Sequence, residues 1–356
     1  MKIRKIFSAA AIAIRHTAAA SNKQAYLGSG LFPPKKKMGL DLKWIKTSKG
    51  LPVSLAPSNF DAKSTLRSRS GFTMDETEMA FFRESFVVKE ADEQEILRVQ
   101  DSSDPYAKEV IDRIYNDAET LIAGAEVVPE RMIMQLLAAP DGSPKISIQA
   151  NGANYAYNYD PNGTYKSKNF MELTEATDKW SDTENSDPLA DVETAQGAVE
   201  DETGETPSIM IISKKTMNYL KKNKNIKAAI VSKSDSPVIF VTEKKVKALF
   251  NEELGVSIIV YKKKFKDESG NAQQFYPDGF ATLIPEGALG NTWYGCTPEE
   301  RTGMASETAD VKVIGNTGIT VMVTSEHDPE QTKTTVSEIV LPSFERMDET
   351  FQIKCY

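Results

Sequence analysis

The chain has 356 residues, of which 40% are apolar and 26% charged, an ordinary balance for a soluble globular protein with one large domain or two modest ones. Its two cysteines, Cys296 and Cys355, form no CxxC pair, and its two histidines, His16 and His327, are far apart, so a disulfide scaffold, a cysteine-based metal site and a histidine-centred nucleophilic site all lack their parts. The net charge of −8 is unevenly placed: residues 1–50 hold eleven Lys or Arg against one acid, Asp41, which describes a basic tail on an acidic body.

The opening stretch, MKIRKIFSAAAIAIRHTAAA, has the basic start and short apolar run of a secretory leader. The run is mostly alanine, however, and Arg15 and His16 break it. The basic character also continues through Lys23, Lys35, Lys36, Lys37, Lys43, Lys46 and Lys49. The preferred reading is a basic, partly helical N-terminal arm over residues 1–37 that lies on a partner and gains its order there. An exported binding protein is the alternative. No stretch approaches the ~20 apolar residues of a membrane span.

Residues 38–97 alternate short β-prone pieces (KWIK, LPVSL, FFRESFVV) with Ser/Lys/Gly and Pro/Ser/Asn clusters around a polar, basic centre, KSTLRSRSG. So little apolar surface predicts an extended hairpin lying on something else; an edge hairpin of a compact sheet is the alternative. Asp104-Pro105 then supplies an N-cap and a first-turn proline. Apolar residues from Val110 to Leu137 follow at three- and four-residue spacing, predicting a long spine helix that Pro129 kinks or divides and APDGSP ends.

KISIQANGANYAYNYDPNGTYK reads as a hairpin. The acidic stretch that follows contains Trp180 and a helix start at Asp187-Pro188, with Leu189, Val192 and Ala195 on one face of an otherwise solvated helix. The remainder reads as α/β: SIMIIS a buried strand, KKTMNYLKKN a basic helix, PVIFVT another strand, and EKKVKALFNEEL a helix closed by Gly255. A hairpin at Ser269-Gly270-Asn271 and several strands of period two complete the chain. There is no P-loop, GxGxxG, EF-hand or HExxH spacing. Accordingly no catalytic, cofactor-binding or metal-binding residue is assigned, and no enzyme activity or cofactor is expected.

The order of parts resembles the lambda-type (E family) major capsid proteins of tailed bacteriophages, which share the Hong Kong 97 phage-type capsid fold. The segments carrying the resemblance are FYPDGFATLIPEGALGNTWYGC, Arg67-Ser68-Arg69 with Gly71 at the hairpin tip, DKWSD around Trp180, and the C-terminal IVLPSFERMDETFQIKCY.

The resemblance implies an α+β fold divided into a basic N-terminal arm (1–37), an extended loop (38–97), a peripheral domain with the spine helix (98–180), an axial domain (181–325) and C-terminal strands returning to the peripheral domain (326–356). It implies a shell subunit that assembles as hexamers and pentamers into an icosahedral head around double-stranded DNA, without sequence-specific binding and without a membrane. A portal protein, a scaffolding protein and a decoration protein are the further partners it implies, with assembly in the bacterial host cytoplasm and residence in the virion. Lys35, Lys36, Lys37, Trp44, Lys46, Lys49, Arg67, Arg69 and Trp180 are the candidate assembly-interface residues. An encapsulin-like shell of the same fold, or a nucleic-acid- or surface-binding protein acting through residues 1–50, are the alternatives.

Overall fold

A computed structural model describes residues 8–20, 25–45, 74–89, 94, 106–150, 153–232, 240–305, 310–314, 318–327 and 330–356. In chain order its first elements are helix α1 (Ala9–Ala20), the short helix α2 (Leu27–Leu31), strands β1 (Pro34–Lys36), β2 (Asp41–Ile45), β3 (Met74–Glu78) and β4 (Ala80–Lys89), and the long helix α3 (Tyr106–Leu137). Next come β5 (Lys145–Ala150), β6 (Ala153–Asn158), α4 (Thr164–Lys168), β7 (Phe170–Glu172), α5 (Pro188–Thr203), β8 (Ile209–Ser213), α6 (Lys214–Lys222), α7 (Lys224–Ser232) and α8 (Glu243–Leu254). Strands β9 (Ser257–Tyr261), β10 (Lys264–Lys266), β11 (Ala272–Gln274), β12 (Phe280–Ile284) and β13 (Gly290–Tyr294) lead to α9 (Pro298–Ala305). Strands β14 (Asp310–Ile314), β15 (Ile319–His327), β16 (Glu330–Phe344) and β17 (Phe351–Lys354) close the chain.

These elements form two compact units, one of residues 1–43, 76–132 and 290–343, the other of residues 44–75, 133–289 and 344–356. The division departs from the expected boundaries at 180 and 325, and the hydrogen bonds give the reason. Residues 290–325 supply β13, β14 and β15 to the sheet built around β16, so they join the first unit. Strand β17 lies between β7 and β12, which commits the C-terminal residues to the second.

In the first unit the strand order is β1-β13-β16-β15-β14, with β4 also on β16. Strand β16 pairs antiparallel with β15 from Thr320↔Ser337 to His327↔Glu330. It also pairs with β4 from Gln331↔Lys89 to Val340↔Ala80. From Thr334 to Phe344 every residue of β16 is buried, as expected of a strand covered on both faces. On one face α1 and α3 bring Ile12, Ala118 and Ile122 against Ile319, Val321, Val323 and Val336. On the other, α9 approaches so closely that a Cβ at Gly303 would lie 2.8 Å from that of Val311, which leaves room only for glycine.

The expected partner-bound arm is corrected here for its described residues. Helix α1 is docked on its own chain, with Ala9, Ile12 and Ala13 buried. Ser8 Oγ accepts from Ala11 N, and Asp310 Oδ2 accepts from Ala9 N, so two of the helix's first donors are satisfied. Farther along, Arg15 Nε lies 2.9 Å from Glu119 and its guanidinium 4.7 Å from the Tyr115 ring, while His16 Nε2 lies 3.0 Å from Glu126. Phe32 is buried, and β1 runs parallel to β13 from Pro34↔Thr292 to Lys36↔Tyr294.

Helix α3 is not divided at Pro129 but continues through it to Leu137. The proline removes the donor for the Ala125 carbonyl, at a cost of about 3 kcal/mol. Beyond it Met132, Ile133, Leu136 and Leu137 are all buried, each contributing about 1.5–3 kcal/mol, so continuing the helix wins. The expected Asp104-Pro105 cap lies outside the described residues. So does most of the 38–97 hairpin; its described base is the two-stranded pairing of β2 with β3.

The second unit is built on the sheet β7-β17-β12-β8-β9, with α5 packed on β17, α6 on β8 and β9, and α8 on β9. Val192, Ala195 and Val199 of α5 join Met210, Ile212, Met217, Leu249 and Phe250 in one core, so the helix expected to be solvated has a fully buried side. Its start is as expected: Asp187 accepts from Ala190 N, with Pro188 in the first turn. Behind the sheet, Thr282 Oγ1 donates to Leu137 O and Gln352 Nε2 to Leu136 O, capping the last carbonyls of α3. The strand expected at PVIFVT is not present in Phe240–Thr242; residues 237–239 lie outside the described ones. Thr242 instead caps α8, accepting from Lys245 N, and Gly255 ends that helix at φ 67°.

One buried group sets a pH dependence. Glu338 on β16 is fully buried, and neither of its carboxylate oxygens has a hydrogen-bond partner. Burial, reinforced by the charge of Glu126, pushes its carboxyl well above the usual carboxylate range. Because the folded value exceeds the unfolded one, this group's contribution is most favourable below about pH 4 and is lost as pH rises through the folded value. Glu338→Gln is expected to leave stability near pH 4 almost unchanged and to raise it at pH 8 by about 1–3 kcal/mol, read from urea unfolding. The same change at both pH values would contradict this assignment.

Candidate functional site

Among the described residues no His, Cys, Asp or Glu side chains gather in a metal-binding group, and no helix is long and apolar enough to cross a membrane. The Cys296 thiol is half-buried and pushed up by burial and then by Glu300; the Cys355 thiol is buried and pushed up more strongly. Both shifts disfavour the thiolate that a nucleophile needs. What the chain offers is surface, and its character follows from the elements that carry it.

The candidate residues from the sequence divide into three groups. Lys35, Lys36 and Lys37 lie on or beside β1, held in the first unit by the pairing with β13. Each is used by its own chain. Lys35 Nζ lies 5.5 Å from the centre of the Trp293 ring, Lys36 Nζ pairs with the buried Glu300, and Lys37 Nζ donates to Asp41 O. Trp44 falls in β2, while Lys46, Lys49, Arg67 and Arg69 lie outside the described residues.

Trp180 is a correction. Its side chain is 0% exposed and its indole Nε1 donates to Asp191 Oδ2 at 2.8 Å. The bond holds the tryptophan in the core of the second unit, where no neighbouring subunit can touch it. Burial raises the Asp191 carboxyl despite that hydrogen bond.

The first unit also holds a buried polar set around Glu299 on α9. This carboxylate accepts from Ser337 Oγ at 2.7 Å and from Arg83 Nη1 at 3.2 Å, tying β16 and β4 to the helix. Among the described residues of the first unit, Ile14, Met38, Leu40 and Phe86 are exposed large apolar side chains.

The second unit separates its charges. Residues 181–205, which include α5, hold nine Asp or Glu and no Lys or Arg; residues 214–266, which include α6, α7 and α8, hold fourteen lysines against four acids. Amid those lysines Phe240 is 71% exposed, with Lys221 Nζ 5.9 Å from its ring centre. Sequence reasoning took the acidic run for a solvated helix and KKTMNYLKKN for a basic helix, and took Phe240 for a strand residue. The signal that could have corrected this was Thr242 followed by Glu243, which marks a helix start two residues after the phenylalanine.

A family model described as phage major capsid protein E matches residues 10–355. Three solved structures are similar in fold. A phage-related protein from Bordetella bronchiseptica RB50 is 17% identical with a TM-score of 0.58, the match covering 96% of this chain and 95% of that one. The putative capsid protein of a prophage of E. coli CFT073 is 17% identical with a TM-score of 0.52, covering 80% of each chain. The capsid of cyanophage A-1(L) is 10% identical with a TM-score of 0.52, covering 92% of this chain and 91% of that one. No curated protein matches in sequence.

Burial of Trp180 carries a consequence that separates packing from assembly. Trp180→Ala is expected to lower the unfolding free energy by about 3–5 kcal/mol, measured by urea titration of the dissociated chain. A variant of unchanged stability that fails only in subunit association would restore the interface reading.

Proposed function

The chain belongs to the phage major capsid protein E family, and from that membership we propose that it forms the icosahedral phage head as hexamers and pentamers around double-stranded DNA. It is a major capsid protein, a structural component of the virion, and its family is one of structural proteins. The observation that carries the finer reading is the family match over residues 10–355 on a chain whose fold is shared with capsid proteins.

In this reading the first unit is the peripheral part and the second the axial part, whose tips meet around five- and six-fold centres. Of residues 38–97, β4 (Ala80–Lys89) stays on β16 of its own chain, while the hairpin that precedes it extends over an adjacent subunit, bringing Trp44, Lys46, Lys49, Arg67 and Arg69 to it. A hairpin with little apolar surface of its own gains stability by covering a neighbour, which couples its ordering to assembly. Lys35, Lys36 and Lys37 brace the base of that extension. A net charge of −8 suits a container, because tight phosphate binding would oppose both filling and emptying it. A portal protein, a scaffolding protein and a decoration protein are the remaining partners, and assembly takes place in the bacterial host cytoplasm.

Electron microscopy with light scattering on the chain expressed alone, and again with its neighbouring genes, tests the reading. Closed shells, or rings of five and six, are expected. A monodisperse monomer under every condition would overturn it.

A further inference from the structure

Within the second unit the sheet order places opposite charges at opposite flanks. Helix α5 packs on β17, next to one edge strand, whereas α6 and α8 pack on β9, the other edge. Strands β17 and β9 are three steps apart, about 14 Å. The outward side of α5 presents Glu193, Glu200 and Asp201, all exposed; the far flank presents Lys222, Lys244 and Lys245, also exposed. The two runs touch inside the chain beside the start of α5, where Lys224 N donates to Thr183 O, Asn223 Nδ2 donates to Ser186 O and the exposed Lys224 Nζ lies 3.7 Å from Glu184.

We infer that the acidic α5 flank of one subunit docks against the lysine-bearing α6–α8 flank of a second copy of this chain, with Phe240 as the apolar anchor of the contact. The inference rests on the assembly reading above and specifies how its rings close. A surface that meets a different surface of the next copy is heterologous, and such contacts form rings where the rotation between copies closes. Patches of like charge alone would separate copies; patches of opposite sign at opposite flanks match around a ring. An exposed aromatic with a lysine over its ring is the kind of residue that anchors an interface. The long-range attraction sets approach and register more than final affinity, and salt weakens it. The charge partition also indicates why the lysines do not spread over the whole unit, as a surface made for nucleic acid along its length would require.

The test uses the full chain and three variants, each first checked for unchanged thermal unfolding as a dissociated subunit. One carries Glu193→Lys, Glu200→Lys and Asp201→Lys. The second carries Lys222→Glu, Lys244→Glu and Lys245→Glu. The third carries all six changes. At low salt each three-residue variant is expected to assemble at least ~10-fold more slowly than the unaltered chain, and the six-residue variant to recover most of that rate.

Mixing the two three-residue variants gives a sharper result. Charge-matched copies must alternate around the ring, so only rings of even number close. Six-membered rings should return and five-membered ones should not. Phe240→Ser should weaken ring formation at every salt concentration.

Normal assembly of both three-residue variants, or five-membered rings in the mixture, would overturn the inference while leaving the assembly reading intact. So would a lysine variant that assembles normally but loses affinity for double-stranded DNA. If the unaltered chain formed no rings or shells at all, the assembly reading would fail, and this inference with it.

Discussion

Strand β16 is the constraint on which the first unit depends. It pairs along one edge with β15 and along the other with β4, and β13 joins it farther on. Residues from about 80, 290 and 320 onward are thereby fixed in register by one strand. Such pairings close long loops before they return any contact energy, so the stability that repays them must be concentrated. Burial of β16 on both faces is that concentration. It also explains why polar side chains on the strand are so tightly provided for, Ser337 by Glu299 and Thr335 by Ser85. Glu338 is the exception, a buried carboxyl left without a partner.

The N-terminal helix follows from the same sheet. An alanine-rich helix has little apolar surface to drive it anywhere, but it can approach a sheet closely. Ala9, Ile12 and Ala13 do so over β14 and β15, while Arg15 and His16 reach carboxylates on α3. Part of the basic character of the tail is therefore spent on its own acidic body. The acidic run of residues 181–205 and the lysine-rich run of residues 214–266 both lie in the second unit.

Much of this was legible where the signal is local. Asp187-Pro188 marked a helix start, Gly255 a helix end, and Ser269-Gly270-Asn271 a turn that Asp267 closes by accepting from Ser269 N and Asn271 N. The helix from Tyr106 was legible from its spacing. The failures share a cause, since each was settled by residues distant in sequence. Trp180 looked available until Asp191 and the core of the second unit closed over it. Pro129 left open a division of the helix until the burial beyond it outweighed one lost hydrogen bond. The parallel pairing of β1 with β13, Pro34↔Thr292, has no local signature at all. For the assembly surface, the sequence marked the acidic stretch and one basic helix, but only the strand order β7-β17-β12-β8-β9 shows that α5 packs near one edge of the sheet and α6 and α8 at the other.

If β16 organises the first unit and α1 is part of that unit, the dissociated subunit must already show both. Native-state hydrogen exchange read by mass spectrometry measures this directly. The account predicts that Val336–Leu341 exchange in the slowest class of the first unit and that Ala9–Ala20 are protected before any assembly. Exchange of Ala9–Ala20 at the rate of an unfolded peptide, or of β16 ahead of its flanking strands, would contradict it.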